Sequence, residues 1–268
     1  MSSIAIDLEN VGLVRSGQAI LSEIDLQIAA GSCCAIVGPN GAGKSALIAV
    51  LSGYMWPTVG AVTVEGRRYG RVNMGQMRQR IGLVEPSRSP ELNGHLSVRE
   101  VVATGLFGTQ CLPIAGEITE RQWERVDGQI ASFGIARLAA APFHQLSSGE
   151  QMKTLLARAM VSDAKILLLD EPTVGLDMGA RAECVAALES LLATPNNPTV
   201  VIVSHHLDEL PRSVDQVVLL DEGRIVENGT PDRVFTGQIL SRLFGCDIEV
   251  FRNQGRVVAS ATTGPVVR

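Results

Sequence analysis

Residues Gly38-Pro39-Asn40-Gly41-Ala42-Gly43-Lys44-Ser45 fit the spacing G-x-x-x-x-G-K-[ST], a pattern suited to holding phosphate. The three glycines let successive backbone N–H groups converge on a β-phosphate, and a helix opening at Lys44 adds positive potential. Lys44 supplies a compact charge between the β- and γ-phosphates, and the Ser45 hydroxyl can ligate Mg²⁺. Only three lysines stand against twenty arginines in this chain, so a lysine here is informative. Further on, Ile166-Leu-Leu-Leu-Asp170-Glu171 is a hydrophobic run ending in two carboxylates. Asp170 would hold the metal's coordination shell, and Glu171 would orient and deprotonate the attacking water. The alternative for the pair taken alone is an acidic turn after a core strand; the phosphate loop upstream favours a site for Mg·ATP. Leu146-Ser147-Ser148-Gly149-Glu150 precedes a helical stretch, where free N–H groups and serine hydroxyls offer a second anion site.

The elements that must position these residues follow from hydrophobic period and punctuation. Residues 33–37 are continuously apolar and predict a strand buried on both faces, leading through the loop to a helix over 44–51. Residues 4–8 and 24–28 alternate and predict strands with one wet face, joined through a turn at Ser16-Gly17. Strands follow at 62–64 and 80–84, separated by a loop over 66–75. From about 86 to 160 the pattern is helical: Ser97-x-x-Glu100 and Thr119-x-x-Gln122 are capping boxes, Pro113 and Gly116 break the chain between them, and a third helix runs from Ser147-Ser148 to about 160. Strands then return at 165–169, 198–203, 217–220 and 224–226, with a helix near 180–192 and a turn at 221–223. Residues 246–268 predict a small strand–turn–strand extension around Asn253-Gln254-Gly255. Strands alternating with helices imply an α/β fold: a mainly parallel sheet with flanking helices, an N-terminal antiparallel β subdomain, and an inserted helical subdomain over about 86–160.

Composition narrows the function classes. With 46% hydrophobic and 19% charged residues, 268 residues can bury a full core. Aromatics at 4% and a net charge of −5 argue against nucleic acid as a partner. No run reaches the roughly 20 apolar residues of a membrane span, and the N-terminus, with Asp7 and Glu9, lacks a basic flank for a signal peptide. Five cysteines without a C-x-x-C pair read as buried apolar fillers in a reducing cytosol. A mean hydropathy of +0.20 is high for a chain alone in water and points to covered surface.

The order of 38–45, 146–150, 166–173, Gly175-Leu176-Asp177 and Val203-Ser204-His205 resembles that of ATP-binding-cassette ATPases, over residues 4–245. That resemblance implies a head-to-tail dimer with each ATP between one subunit's phosphate loop and the other's 146–150 segment. It implies that Ser147 and Gly149, flanked by Ser148 and Glu150, contact the partner's γ-phosphate. Asp177 would couple the two sites, and His205 would contact the γ-phosphate and the water. Three departures stand out. Cassette ATPases stack an aromatic on adenine upstream of the loop, where this chain offers Arg15, able to stack through its cation. The usual glutamine after the Ile-Gly-x-Val strand falls near Pro86, and Ser148 replaces a commoner glycine. Arg67–Gly70, 100–108 and 240–245 resemble molybdenum-transport-type ATPases. The implied partners are a second copy of the chain or a related ATPase subunit, a membrane permease that docks on the helical subdomain, and a substrate-binding protein; the implied location is the cytoplasmic face of a membrane. The competing class is a cytosolic assembly or scaffold factor using the same dimer clamp, since repair versions need a coiled-coil insertion and translation versions two cassettes.

Overall fold

A computed structural model describes residues 3–86, 95–109, 111–112, 118–195 and 197–262. In chain order the elements are β1 (Ile4–Arg15), β2 (Gln18–Ala29), β3 (Cys33–Val37), α1 (Lys44–Leu51), β4 (Val59–Val64), β5 (Arg67–Arg68), α2 (Met74–Gln79), β6 (Ile81–Val84), α3 (Val98–Thr104), α4 (Glu120–Ser132), α5 (Ser148–Met160), β7 (Ile166–Asp170), α6 (Met178–Leu192), β8 (Thr199–Val203), β9 (Gln216–Asp221), β10 (Arg224–Gly229), α7 (Pro231–Val234), α8 (Gly237–Phe244), β11 (Ile248–Asn253) and β12 (Arg256–Ala261). They divide into two units: residues 1–71 with 199–268, and residues 72–198.

The first unit holds an antiparallel sheet in the order β2-β1-β4-β5 and strands in the order β10-β9-β3-β8. β3 runs parallel to both β8 and β9, and β10 is antiparallel to β9. Every residue of β3 and β8 is buried, which is why their sequences are unbroken apolar runs rather than alternations. Four hairpins turn on a residue followed by glycine, at Ser16-Gly17, Glu65-Gly66, Glu222-Gly223 and Gln254-Gly255. Both residues of each pair have positive φ, the primed turn whose twist matches paired strands.

In the second unit β6 pairs in parallel with β7, accompanied by helices α2 to α6. Both anticipated capping boxes form, Ser97 with Glu100 and Thr119 with Gln122, and Ser147 with Glu150 makes a further one. Arg99 ties α3 to α4 through Asp127 and lies 4.2 Å from the centre of the Trp123 ring.

Two expectations are corrected. The 66–75 loop instead contains β5 and the start of α2, whose N-cap Asn73 accepts the N–H groups of Gly75 and Gln76. Met77 fastens that helix by complete burial. The cysteines are not all buried: Cys33, Cys34 and Cys184 are, but Cys111 is exposed and Cys246 half-buried. Burial and nearby Asp215 push the Cys33 thiol up to about 12, and Cys34 moves in the same direction. Those two remain protonated fillers. Pro113 and Gly116 lie outside the described residues, as does the end of the C-terminal extension beyond Thr262. Among the described residues no helix is long and apolar enough to cross a membrane.

Candidate active site

The phosphate loop joins the carboxyl end of β3 to the N-terminus of α1. Its tight bracing explains two of its glycines. A Cβ at Gly38 would stand 2.0 Å from the Leu220 carbonyl oxygen of β9. Gly43 has φ of 100°, and a Cβ there would lie 2.9 Å from the Ile20 carbonyl oxygen of β2. The turn between β9 and β10 completes the clamp: Gly223 N–H donates to the Ala42 carbonyl at 3.0 Å, while the Gly223 carbonyl accepts from Ser22 N–H at 2.8 Å. Backbone thus presses the loop from two directions and restrains its conformation.

Within the loop Lys44 is only 6% exposed. Its Nζ donates to the Gly38 and Pro39 carbonyls at 2.8 and 2.9 Å, holding the cation inside the curve of the loop. Asn40 and Gly41 are at the tip, with Gly41 exposed, and Ser45 presents its hydroxyl on the exposed first turn of α1. His205 belongs to the same edge. β8 pairs with β3 as far as Val203 opposite Ile36, and Ser204 N–H reaches the Ile36 carbonyl at 3.3 Å. His205 therefore leaves the sheet one strand from Gly38, at the carboxyl ends where α/β sheets place ligands. Ser204, 2% exposed, shapes that exit: its Oγ accepts the His206 N–H at 3.0 Å. Arg15 ends β1, exposed beside the Ser16-Gly17 turn and paired in register with Gln18.

The second unit carries the other residues. β7 is buried throughout and delivers Asp170, 9% exposed, followed by half-buried Glu171. Glu171 has φ of 50°, in the left-handed region. At the four hairpins such a residue precedes a glycine in a primed turn; Glu171 precedes Pro172 at a strand end, where strain of this kind commonly marks a functional position. Glu85, directly after β6, is half-buried beside Pro86. Ser147 and Ser148 are exposed at the start of α5, and Gly149 lies against Ala180 in the first turn of α6. Asp177 caps α6, accepting the Ala180 N–H at 2.8 Å.

Glu150 has a structural task. Its Oε2 accepts from Ser147 N–H at 3.1 Å and Ser147 Oγ at 2.9 Å, and Oε1 pairs with Arg137 at 2.7 Å. The Ser147 bonds, and secondarily Arg137, hold its carboxyl below the usual glutamate range. A lowered carboxyl stabilises the fold above its unfolded-state value, and this contribution fades as pH falls through the folded one.

A family model described as ABC transporter matches residues 21–174, from β2 to just past Glu171. The chain belongs to the ABC transporter family. This ABC ATPase is 32% identical over 252 residues to the ABC transporter ATP-binding protein YlmA of Bacillus subtilis, covering 94% of this chain and 95% of the relative. It is 34% identical to the hemin import ATP-binding protein HmuV of Nocardia farcinica, over 91% of this chain and 82% of that one. Among solved structures, cbiO1 from Clostridium perfringens, part of the ABC transporter complex cbiONQ, superposes with a TM-score of 0.75 at 28% identity, covering 89% and 93% of the two chains. The chain is an ATP-binding subunit of an ABC transporter and an ATPase, and its α/β fold is the expected one.

The sequence missed the clamp on the phosphate loop. Glu222-Gly223 was legible as a turn, but nothing in the dipeptide says that its glycine braces Ala42, 181 positions away.

Proposed function

We propose that two copies of this ABC ATPase close head-to-tail on two ATP molecules and drive a separate membrane permease. The observation that carries this reading is a backbone-braced phosphate loop and a strained Glu171, each at the carboxyl end of a fully buried strand. Backbone N–H groups of 38–45 and the Lys44 cation would bind the phosphates, and Arg15 would stack on adenine. Glu171 would take the proton of the attacking water, with His205 steadying water and γ-phosphate. Ser45 and Asp170 offer hard oxygen donors, a set that suits Mg²⁺, which accepts one or two protein ligands beside phosphate and water. When bound, the ion would neutralise charge on the β- and γ-phosphates. Ser147, Ser148 and Gly149 would meet the partner copy's γ-phosphate, and Asp177 would sit at the junction. Next to Asp177, Val174 is 45% and Met178 87% exposed, apolar surface that a second copy would cover.

In this reading residues 1–245 form the ATPase domain, the helical segment over about 86–160 is the permease-docking surface, and 246–268 is an extension. The resemblance of 67–70, 100–108 and 240–245 to molybdenum-transport-type chains assigns no cargo, since similar chains carry names as different as hemin import and the cbiONQ complex. Cell fractionation at native expression tests the permease: the protein is expected with membranes, released by conditions that strip peripheral proteins. Wholly soluble protein would instead favour the cytosolic scaffold.

Pro86 cannot replace a glutamine amide at the γ-phosphate, and Glu85 is the adjacent carboxylate, biased to an extended backbone by the proline ring. Glu85→Ala is expected to lower maximal ATPase rate several-fold with little change in nucleotide affinity, the signature of an interaction made only in the transition state. Paired turnover and binding titrations across a Mg²⁺ series check this; an unchanged rate assigns Glu85 to the surface.

A further inference from the structure

The segment after His205 is short and irregular. Leu207–Glu209 is a single 3₁₀ turn without a side-chain cap, too short to be stable alone. It keeps its place by burying Leu207 and Leu210, which are 6% and 4% exposed. The C-terminal hairpin β11–β12 is equally dependent, since an isolated two-stranded hairpin is marginal in water. Among its described residues Val257 alone is buried. β12 packs against the 3₁₀ turn, and Val257 shares the wall of a small recess with Leu207, Leu210 and Phe235. Two polar ties set the hairpin's angle: Arg252 pairs with Asp232 of α7, and the Ser241 hydroxyl of α8 accepts Ile248 N–H at 2.8 Å.

We propose that Val257, and the hairpin it anchors, is a positioning element for ATP hydrolysis: it fixes the Leu207–Glu209 turn and thereby the angle at which His205 leaves β8. The chain of interactions is short. β12 packs on the turn with Val257 as its buried residue, the turn begins two residues after His205, and the Ser204 hydroxyl accepts the His206 N–H. With the hairpin loosened, the contact of the His205 ring with His206 is carried on a less constrained turn, and the approach of the imidazole to the γ-phosphate shifts. Small displacements of this kind act on rate, since a misplacement of about 1 Å can cost about 10²-fold.

This inference rests on the assignment of His205 under the proposed function, and the experiment separates the two. Steady-state ATPase kinetics are measured for Val257→Asp, Val257→Ala, Val257→Ile, His205→Ala and the His205→Ala/Val257→Asp double variant, with nucleotide affinity and Tm for each. Val257→Asp is expected to lower kcat about tenfold, within the span for a displaced group, while KM and nucleotide affinity stay at the wild-type value. Val257→Ala should fall in between, and Val257→Ile should restore the rate. The decisive readout is coupling: in the His205→Ala background Val257→Asp should cost nothing further, because residues acting through one group are non-additive. If Val257→Asp does not fold, the same comparison is made with Val257→Ala. Wild-type kcat in the folded Val257→Asp and Val257→Ala variants, or a full additional loss on top of His205→Ala, overturns the positioning role. Full turnover in His205→Ala alone overturns the assignment of His205, and this proposal with it.

Discussion

Lys44→Ala is expected to cut steady-state ATP turnover by roughly 10²- to 10³-fold, the cost of removing one preorganised electrostatic donor from a site. The size of the effect follows from how the charge is held. Lys44 is nearly buried, and the Gly38 and Pro39 carbonyls fix its Nζ within the loop, so the ammonium need not reorganise when phosphate charge develops. The other loop residues are glycines, Pro39, Asn40, Ala42 and Ser45, none of which carries a charge. The fold should tolerate the change, because the clamp on the loop is made by backbone at Leu220, Ile20 and Gly223. ATPase activity at saturating Mg·ATP, with thermal melting as a control, checks the prediction. Near-normal turnover would remove the phosphate-loop assignment.

Much of this architecture could be read before the structure, for local reasons. β3 and α1 match their expected bounds because a five-residue apolar run meets a glycine loop and then a helical period. The capping boxes at Ser97 and Thr119 were legible because their two partners are three residues apart, while the one at Ser147 has the same spacing but was read as an anion site. α2 was not legible, because Gly75 lies in its first turn and its anchor is one buried side chain, Met77, too sparse for a period. Longer-range features left no local mark. The bracing of Gly38 by Leu220 and the packing of β12 on the turn after His205 depend on how distant segments meet. The strain at Glu171 was equally silent, since a glutamate before a proline reads as extended backbone. Two cysteines escaped the core for the opposite reason: residue type alone favours burial, but Cys111 and Cys246 fall outside the strands and helices that form it.

Glu171→Gln is expected to slow hydrolysis by about 10²- to 10⁴-fold while leaving ATP binding intact, the range for loss of a positioned base. Glutamine preserves the volume and polarity of the side chain but cannot take the proton of water. The backbone strain at φ of 50° is no worse for glutamine than for glutamate, so stability should hardly change. Slow turnover should then accumulate the closed two-copy state, and size-exclusion chromatography with Mg·ATP should show a dimer where the wild type shows exchange. Adding Ser147→Arg to this variant should abolish the dimer, by placing bulk and charge at the exposed start of α5 where the partner's γ-phosphate would sit. Ser147 is also the N-cap of α5, and losing such a cap costs about 1 kcal/mol whatever the partner does. Ser147→Ala in the same background removes the cap and the hydroxyl without adding bulk, so any further loss with Ser147→Arg is the effect of bulk and charge. A dimer that persists with Ser147→Ala and vanishes with Ser147→Arg locates the interface at this helix start. A Glu171→Gln protein that stays monomeric at saturating ATP rules out the sandwich for the isolated subunit, and a dimer that survives both Ser147 variants removes this helix start from the interface.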